Sequence, residues 1–117
     1  EVSRFLGNFS PMADEDFQAV GRKILRRLHC QAVLITRGHD GMSLIERGKR
    51  LVTIPAANRE VYDVTGAGDT VIAWLTAAMA TGASMREAAV LSNMAAGVAV
   101  GKVGTTPVYA EEMQEII

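Results

Sequence analysis

Phe17, Val20, Ile24, Leu25 and Leu28 recur at intervals of three and four, with Arg22, Lys23, Arg26 and Arg27 filling the positions between them. That spacing places the apolar side chains on one stripe of a cylinder and predicts an amphipathic helix over residues 14–29. Pro11 and the acids Asp14, Glu15 and Asp16 suit its first turn, where unpaired amides and the positive end of the helix dipole favour negative charge. The period then changes. Residues 32–35 form an apolar run too short for a helix, which predicts a strand buried on both faces of a sheet. A turn through Arg37, Gly38, His39, Asp40 and Gly41 leads to a second predicted strand at 42–45. Glu46, Arg47, Gly48 and Lys49 read as a hairpin turn before a third strand, 51–54, which Pro55 stops.

The stretch 56–65 is mostly polar, and Gly66, Ala67, Gly68 and Asp69 then precede a run of small and apolar residues at 71–80. This reads as a turn followed by a helix ending near Gly82. Ser84 and Glu87 have the S-x-x-E spacing of a capping box and predict another helix reaching about residue 100. Its apolar residues surround the cylinder, which implies deep burial. Gly101, Gly104 and Pro107 interrupt it, and 111–117 begins a last helix. Helix, strands and helices in this order point to an α/β layered sheet rather than a bundle or a sandwich. A piece of such a sheet leaves an edge or a face uncovered, and the first residue is not methionine, so the chain reads as part of a larger domain.

Composition narrows the function classes more than the fold. With 117 residues, 49% hydrophobic and 21% charged, the chain holds one core at most. A net charge of -1 provides no footprint for nucleic acid or an anionic membrane, and the basic cluster at 22–27 reads as a solvated helix face. Cys30 is the single cysteine, which excludes an internal disulfide or a cysteine-based zinc site and makes the cytoplasm the expected compartment. The uncharged stretch at 70–85 is shorter than the roughly 20 apolar residues that cross a bilayer.

The chemistry concentrates in Asp63-Val64-Thr65-Gly66-Ala67-Gly68-Asp69-Thr70. Small residues ahead of a helix let the backbone approach an anion, and the first amides of that helix have no internal partners. The segment is neither a Walker loop nor a dinucleotide fingerprint, since neither spacing is present. A carboxylate beside such a cradle repels phosphate unless the reaction uses it, which makes Asp69 a candidate general base; the alternative is that Asp69 only caps the helix. His29 and His39, at a helix end and in a turn, read as surface residues.

On these residues the chain resembles the ribokinase-like (PfkB) carbohydrate kinases, whose second signature is Asp-x-x-Gly-Ala-Gly-Asp at the start of a helix. Asp63, Gly66, Ala67, Gly68 and Asp69 match it. Ile35-Thr36-Arg37-Gly38 with Gly41 is similar to the family's strand end and glycine turn beside the nucleotide phosphates, and Asn93 and Gly104-Thr105-Thr106 lie where the family closes over adenine. The resemblance implies that residues 1–117 are the C-terminal part of a ribokinase-like layered α/β/α sheet, carrying the nucleotide-binding and catalytic-base half of a sugar kinase domain.

It also implies roles. ATP and Mg²⁺ are the expected cofactors, with K⁺ left open. Asp69 would accept the proton of the acceptor hydroxyl, while Gly66, Ala67 and Gly68 shape the cradle for the transferring phosphoryl group. Thr36, Gly38 and Gly41 would face the phosphates, although strand-end turn chemistry also explains Thr36 and Gly38. Asn93 and Gly104 would neighbour the adenine, and Asn93 could equally satisfy a neighbouring carbonyl. Asp63 and Thr65 would offer oxygens to a monovalent ion or fix the loop, and Glu1 falls at the glutamate of a motif that helps to hold Mg²⁺ through water. Trp74 and Val108 depart from the family pattern.

Segments 34–37, 60–72 and 101–105 are most similar to the kinases that phosphorylate D-glycero-D-manno-heptose 7-phosphate on the route to ADP-heptose and lipopolysaccharide. Other acceptors of the family (ribose, fructose phosphates, nucleosides) and a non-catalytic nucleotide-binding module stay open. The expected partners are a sugar phosphate and ATP, with no nucleic acid and no membrane, and with a homodimer open for the intact protein.

Overall fold

The computed structural model describes residues 14–57, 65–102, 104 and 106–116. Helix α1 (Asp14–Leu28) is followed by strands β1 (Ala32–Thr36), β2 (Met42–Glu46) and β3 (Val52–Ile54), then by helices α2 (Ala67–Ala80), α3 (Met85–Val100) and α4 (Ala110–Ile116). The strands lie in the order β1-β2-β3 and both pairs are antiparallel. Opposed residues share a face, so the register sorts the side chains into two sets. Ile35 and Ile45 meet Phe17, Val20, Ile24 and Leu25 of α1 on one face. Met42, Leu44 and Ile54 meet Val71 of α2 and Ala89 of α3 on the other. The sheet is therefore the middle layer of an α/β/α arrangement, in keeping with the layered α/β sheet that the element pattern predicted and the α/β/α form that the resemblance implied.

Burial follows position in the sheet. β2 is central, and Leu44 and Ile45 are 1% and 0% exposed. β1 was expected to be covered on both faces, yet only Ile35 is buried and Ala32, Val33 and Leu34 are half-buried. Among the described residues β1 pairs on one side alone, so its open edge admits solvent. Helix α1 comes very close to β2 at Gly21, where a Cβ would stand 2.5 Å from Cγ1 of Ile45. Its C-terminus turns through His29 in the left-handed region (φ 52°). Arg47, from the hairpin turn, donates from Nε to the Cys30 carbonyl at 2.8 Å and from Nη2 to the Leu25 carbonyl at 3.0 Å.

The capping box of α3 forms as its spacing foretold: Ser84 Oγ accepts from the Glu87 amide at 3.1 Å, and Glu87 Oε1 accepts from the Ser84 amide at 2.9 Å. Burial on this helix is one-sided rather than all-round. Ala88, Ala89, Ser92, Asn93, Ala95, Gly97 and Ala99 are buried, whereas Val90 is exposed. α2 is similarly bare on its outer side, where Ile72 is 64% exposed. The helices pack on each other and on the sheet, and their remaining faces meet no other described part of the chain. None of the described helices is long and apolar enough to cross a membrane.

Candidate nucleotide-binding and catalytic site

Helix α2 starts earlier than the sequence suggested. Gly66 adopts φ 79°, a left-handed conformation that reverses the chain, and Ala67, Gly68 and Asp69 form the first helical turn instead of a loop before it. The first bond of the helix runs from the Thr70 amide to the Gly66 carbonyl at 3.0 Å, and the Thr70 hydroxyl reaches the same carbonyl at 3.2 Å. The amides of Ala67, Gly68 and Asp69 thus lie ahead of the first helical acceptor, where the dipole adds positive potential. A Cβ built on Gly68 would have no atom within 4 Å.

Facing this helix end is the turn between β1 and β2. It is closed by bonds from the Arg37 amide to the Gly41 carbonyl (2.8 Å), Asp40 to Arg37 (3.1 Å) and Gly41 to Gly38 (3.1 Å). Gly41 has φ 88° and ψ -134°, a region that excludes side chains, and a Cβ there would fall 2.0 Å from the Ile54 carbonyl oxygen. The turn is seated on the end of β3 by a residue that must be glycine.

Between the turn and α2 lies a cavity of about 530 Å³. It gathers six of the residues singled out from the sequence: Thr36, Gly38 and Gly41 on one side, Ala67 and Gly68 on another, and Asn93 from α3. Asn93 is 7% exposed and donates from Nδ2 to the Pro55 carbonyl at 2.7 Å. A carbonyl only accepts, so this bond fixes the orientation of the amide and turns its oxygen the other way. Asn93 therefore satisfies a neighbouring carbonyl and also lines the cavity. Ala96 and Gly97, three and four residues on, keep the same wall low.

Other expected residues fall outside the lining. Gly66 immediately precedes the lining residue Ala67 in the chain. Asp69 follows Gly68 on the same turn, with an exposed side chain that makes no hydrogen bond or ion pair with another described residue. Thr65 is exposed, and Gly104, with φ 70°, lies beyond α3 and away from the cavity wall. Glu1 and Asp63 lie outside the described residues. Among the described residues no three His, Cys, Asp or Glu side chains converge as metal ligands.

The sequence reading overlooked His39 as a site residue. It is on the surface as expected, with its side chain 88% exposed and Nε2 3.4 Å from Oδ1 of Asp40, yet it also lines the cavity. Its place between Gly38 and Gly41 was the available signal.

A glycine turn and a helix N-terminus facing each other across one cavity agree with the resemblance drawn from the motif. Residues 1–112 match the pfkB family of carbohydrate kinases, and the chain belongs to that family. Among curated relatives, it is similar to the bifunctional protein HldE of Paramagnetospirillum magneticum, with 48% identity over 101 residues covering 86% of this chain and 21% of that protein. HldE of Pseudomonas entomophila is 45% identical over 117 residues, covering 99% of this chain and 25% of the relative. The chain thus spans only a fifth to a quarter of these relatives.

Among solved structures, phosphofructokinase-2 from Escherichia coli in complex with potassium superposes with a TM-score of 0.87 at 20% identity, over 99% of this chain and 37% of that one. Ribokinase of Arabidopsis thaliana complexed with ribose and ATP gives 0.83 at 27% identity, over 98% and 37%. The first likeness shows the ribokinase-like fold.

Proposed function

We propose that the chain is the nucleotide-binding and catalytic-base half of an ATP-dependent sugar kinase that acts in the cytoplasm on D-glycero-D-manno-heptose 7-phosphate. The observation that carries this reading is the placement of Asp69. Its exposed carboxylate follows directly on the two residues, Ala67 and Gly68, that wall the cavity with amides lacking helical acceptors. A site that only bound phosphate would gain nothing from a negative charge there. A proton acceptor for the sugar hydroxyl needs one.

The residues present fit a nucleotide. The cavity volume is in the range of small-molecule sites, and its lining is built from small and apolar residues with a few polar groups. The amides of Ala67, Gly68 and Asp69 suit anionic oxygens, and the Asn93 amide oxygen suits the exocyclic amine of adenine. When bound, ATP with Mg²⁺ supplies the phosphoryl group and neutralises its charge. Mg²⁺ borne by phosphates and water requires at most about one or two protein carboxylates.

On this reading Asp69 orients the acceptor hydroxyl and takes its proton, and the first-turn amides hold the negative charge that spreads over the transferring group. In a loose transition state the proton leaves late and positioning supplies much of the acceleration. Thr65, with Asp63, remains a candidate oxygen donor to a monovalent ion, which turnover in potassium against tetramethylammonium salts would test.

The heptose acceptor is supported by the motif resemblance and by the 45–50% identity to HldE proteins, against 18–27% to the phosphofructokinase-2 and ribokinase structures. In the intact protein, Asp69→Asn should lower kcat by about 10²-fold or more with ATP affinity unchanged or tighter. Undiminished turnover removes Asp69 from the chemistry. A panel of heptose 7-phosphate, ribose, fructose phosphates and adenosine tests the acceptor.

A further inference from the structure

Arg37 stands between Thr36 and Gly38, two residues that line the cavity, and does not line it itself. An arginine beside a phosphate site would ordinarily be read as a phosphate ligand. Here the side chain goes the other way. Ser43 lies opposite Ile35 in the β1–β2 register, on the α1 face of the sheet, and Nη1 of Arg37 donates to Ser43 Oγ at 3.2 Å. The guanidinium carbon is 4.2 Å from the centre of the Phe17 ring, which projects from α1. Phe17 is 7% exposed and Ser43 is 0% exposed, so both anchors are fixed in the core.

The turn that these anchors serve keeps its shape through three backbone hydrogen bonds of its own, which leaves its seating against the neighbouring layers to other contacts. Gly38 (φ 58°) and Gly41 (φ 88°) both occupy left-handed backbone, and a Cβ on Gly38 would touch nothing. At its far end the turn is seated against Ile54 through Gly41. At its near end the side chain of Arg37 ties it to β2 and α1. The geometry points to Arg37 as a positioning residue that clamps the cavity-lining turn from behind, through Phe17 and Ser43, and so sets the nucleotide affinity of the site. This rests on the nucleotide reading of the cavity, and it adds a residue that touches no ligand.

The test uses the intact protein carrying Arg37→Ala, with Ser43→Ala as a milder variant that keeps the charge and disturbs the core least. Amide exchange without nucleotide should show Gly41 exchanging at least about tenfold faster in Arg37→Ala, with α3 amides unchanged. The affinity and KM for ATP-Mg²⁺ should weaken about tenfold, with kcat within about twofold, and Ser43→Ala should move both in the same direction by less. A merely structural arginine would lower the melting temperature and leave KM and turn exchange as in the wild type. That result overturns the clamp, as does faster turn exchange with undiminished affinity. Should the wild type fail to bind ATP at all, the nucleotide reading and with it the affinity role fall, while the exchange comparison still reports separately on the clamp. If Arg37→Ala does not fold, Ser43→Ala decides the outcome by the same two measurements.

Discussion

Replacing Gly68 with alanine adds one methyl group to the first turn of α2, and the structure sets its effects on stability and on activity against each other. Gly68 is helical, and a Cβ at that position would have no neighbour within 4 Å, so the folded protein has no steric need for glycine there. Alanine is favoured over glycine in a helix by about 0.5–1 kcal/mol in interior positions, and somewhat less is expected in a first turn. Stability should therefore be unchanged or higher by up to about 1 kcal/mol, a shift of about 2–4 °C in a domain of 150–250 residues. The methyl would nevertheless occupy part of the cavity that Gly68 lines. If that space receives the transferring phosphoryl group, a displacement of about 1 Å costs on the order of 10²-fold in rate, close to the effect of losing one anion-hole donor. Thermal melting and steady-state kinetics on the same intact variant measure both quantities. An alanine variant with wild-type kcat/KM, or one that melts lower, would refute the claim that ligand approach rather than folding requires this glycine.

Two further predictions concern packing and charge. Gly21→Ala should destabilise by about 1–2 kcal/mol despite better helix propensity, because the new methyl would meet Cγ1 of Ile45 at 2.5 Å and its Cβ at 2.9 Å, too near the main chain to rotate aside; a higher urea midpoint would contradict this. The hydrogen bond from Lys102 (2.6 Å), and then that from the Tyr109 amide (3.1 Å), hold the Glu112 carboxyl below the ordinary glutamate value. A depressed folded-state value stabilises above the unfolded pKa, and the contribution is lost as pH falls through the folded one. Glu112→Gln should therefore flatten the acid limb of stability measured from about pH 7 to about pH 3, and an unaltered slope would discount the pair.

The sequence displayed what is local and periodic. The α1 stripe, the Ser84–Glu87 box and the glycines of the turn each carry their cause within a few neighbouring residues, and the structure forms all three. It was less informative where the cause lies elsewhere in the chain. The one-sided burial of α2 and α3 depends on which layers are present to cover them, and an all-apolar surface does not say which side will be met first. Likewise the alignment of Arg37 with Phe17 and Ser43 joins residues from three elements, so no spacing announces it. Asn93 could be read only as one of two alternatives; it satisfies the Pro55 carbonyl and also lines the cavity, a pairing with a residue 38 positions away that no local pattern displays.

Arg47 holds the carbonyls of Leu25 and Cys30 from a hairpin turn on the far side of β1. Fraying of the first helix from its C-terminal end breaks a bond whose donor belongs to the β2–β3 connection. Two stretches that are distant in sequence are thereby joined into one cooperative opening unit. Arg47 makes that link with both its side chain and its backbone amide, which donates to the Gln31 carbonyl at 3.1 Å.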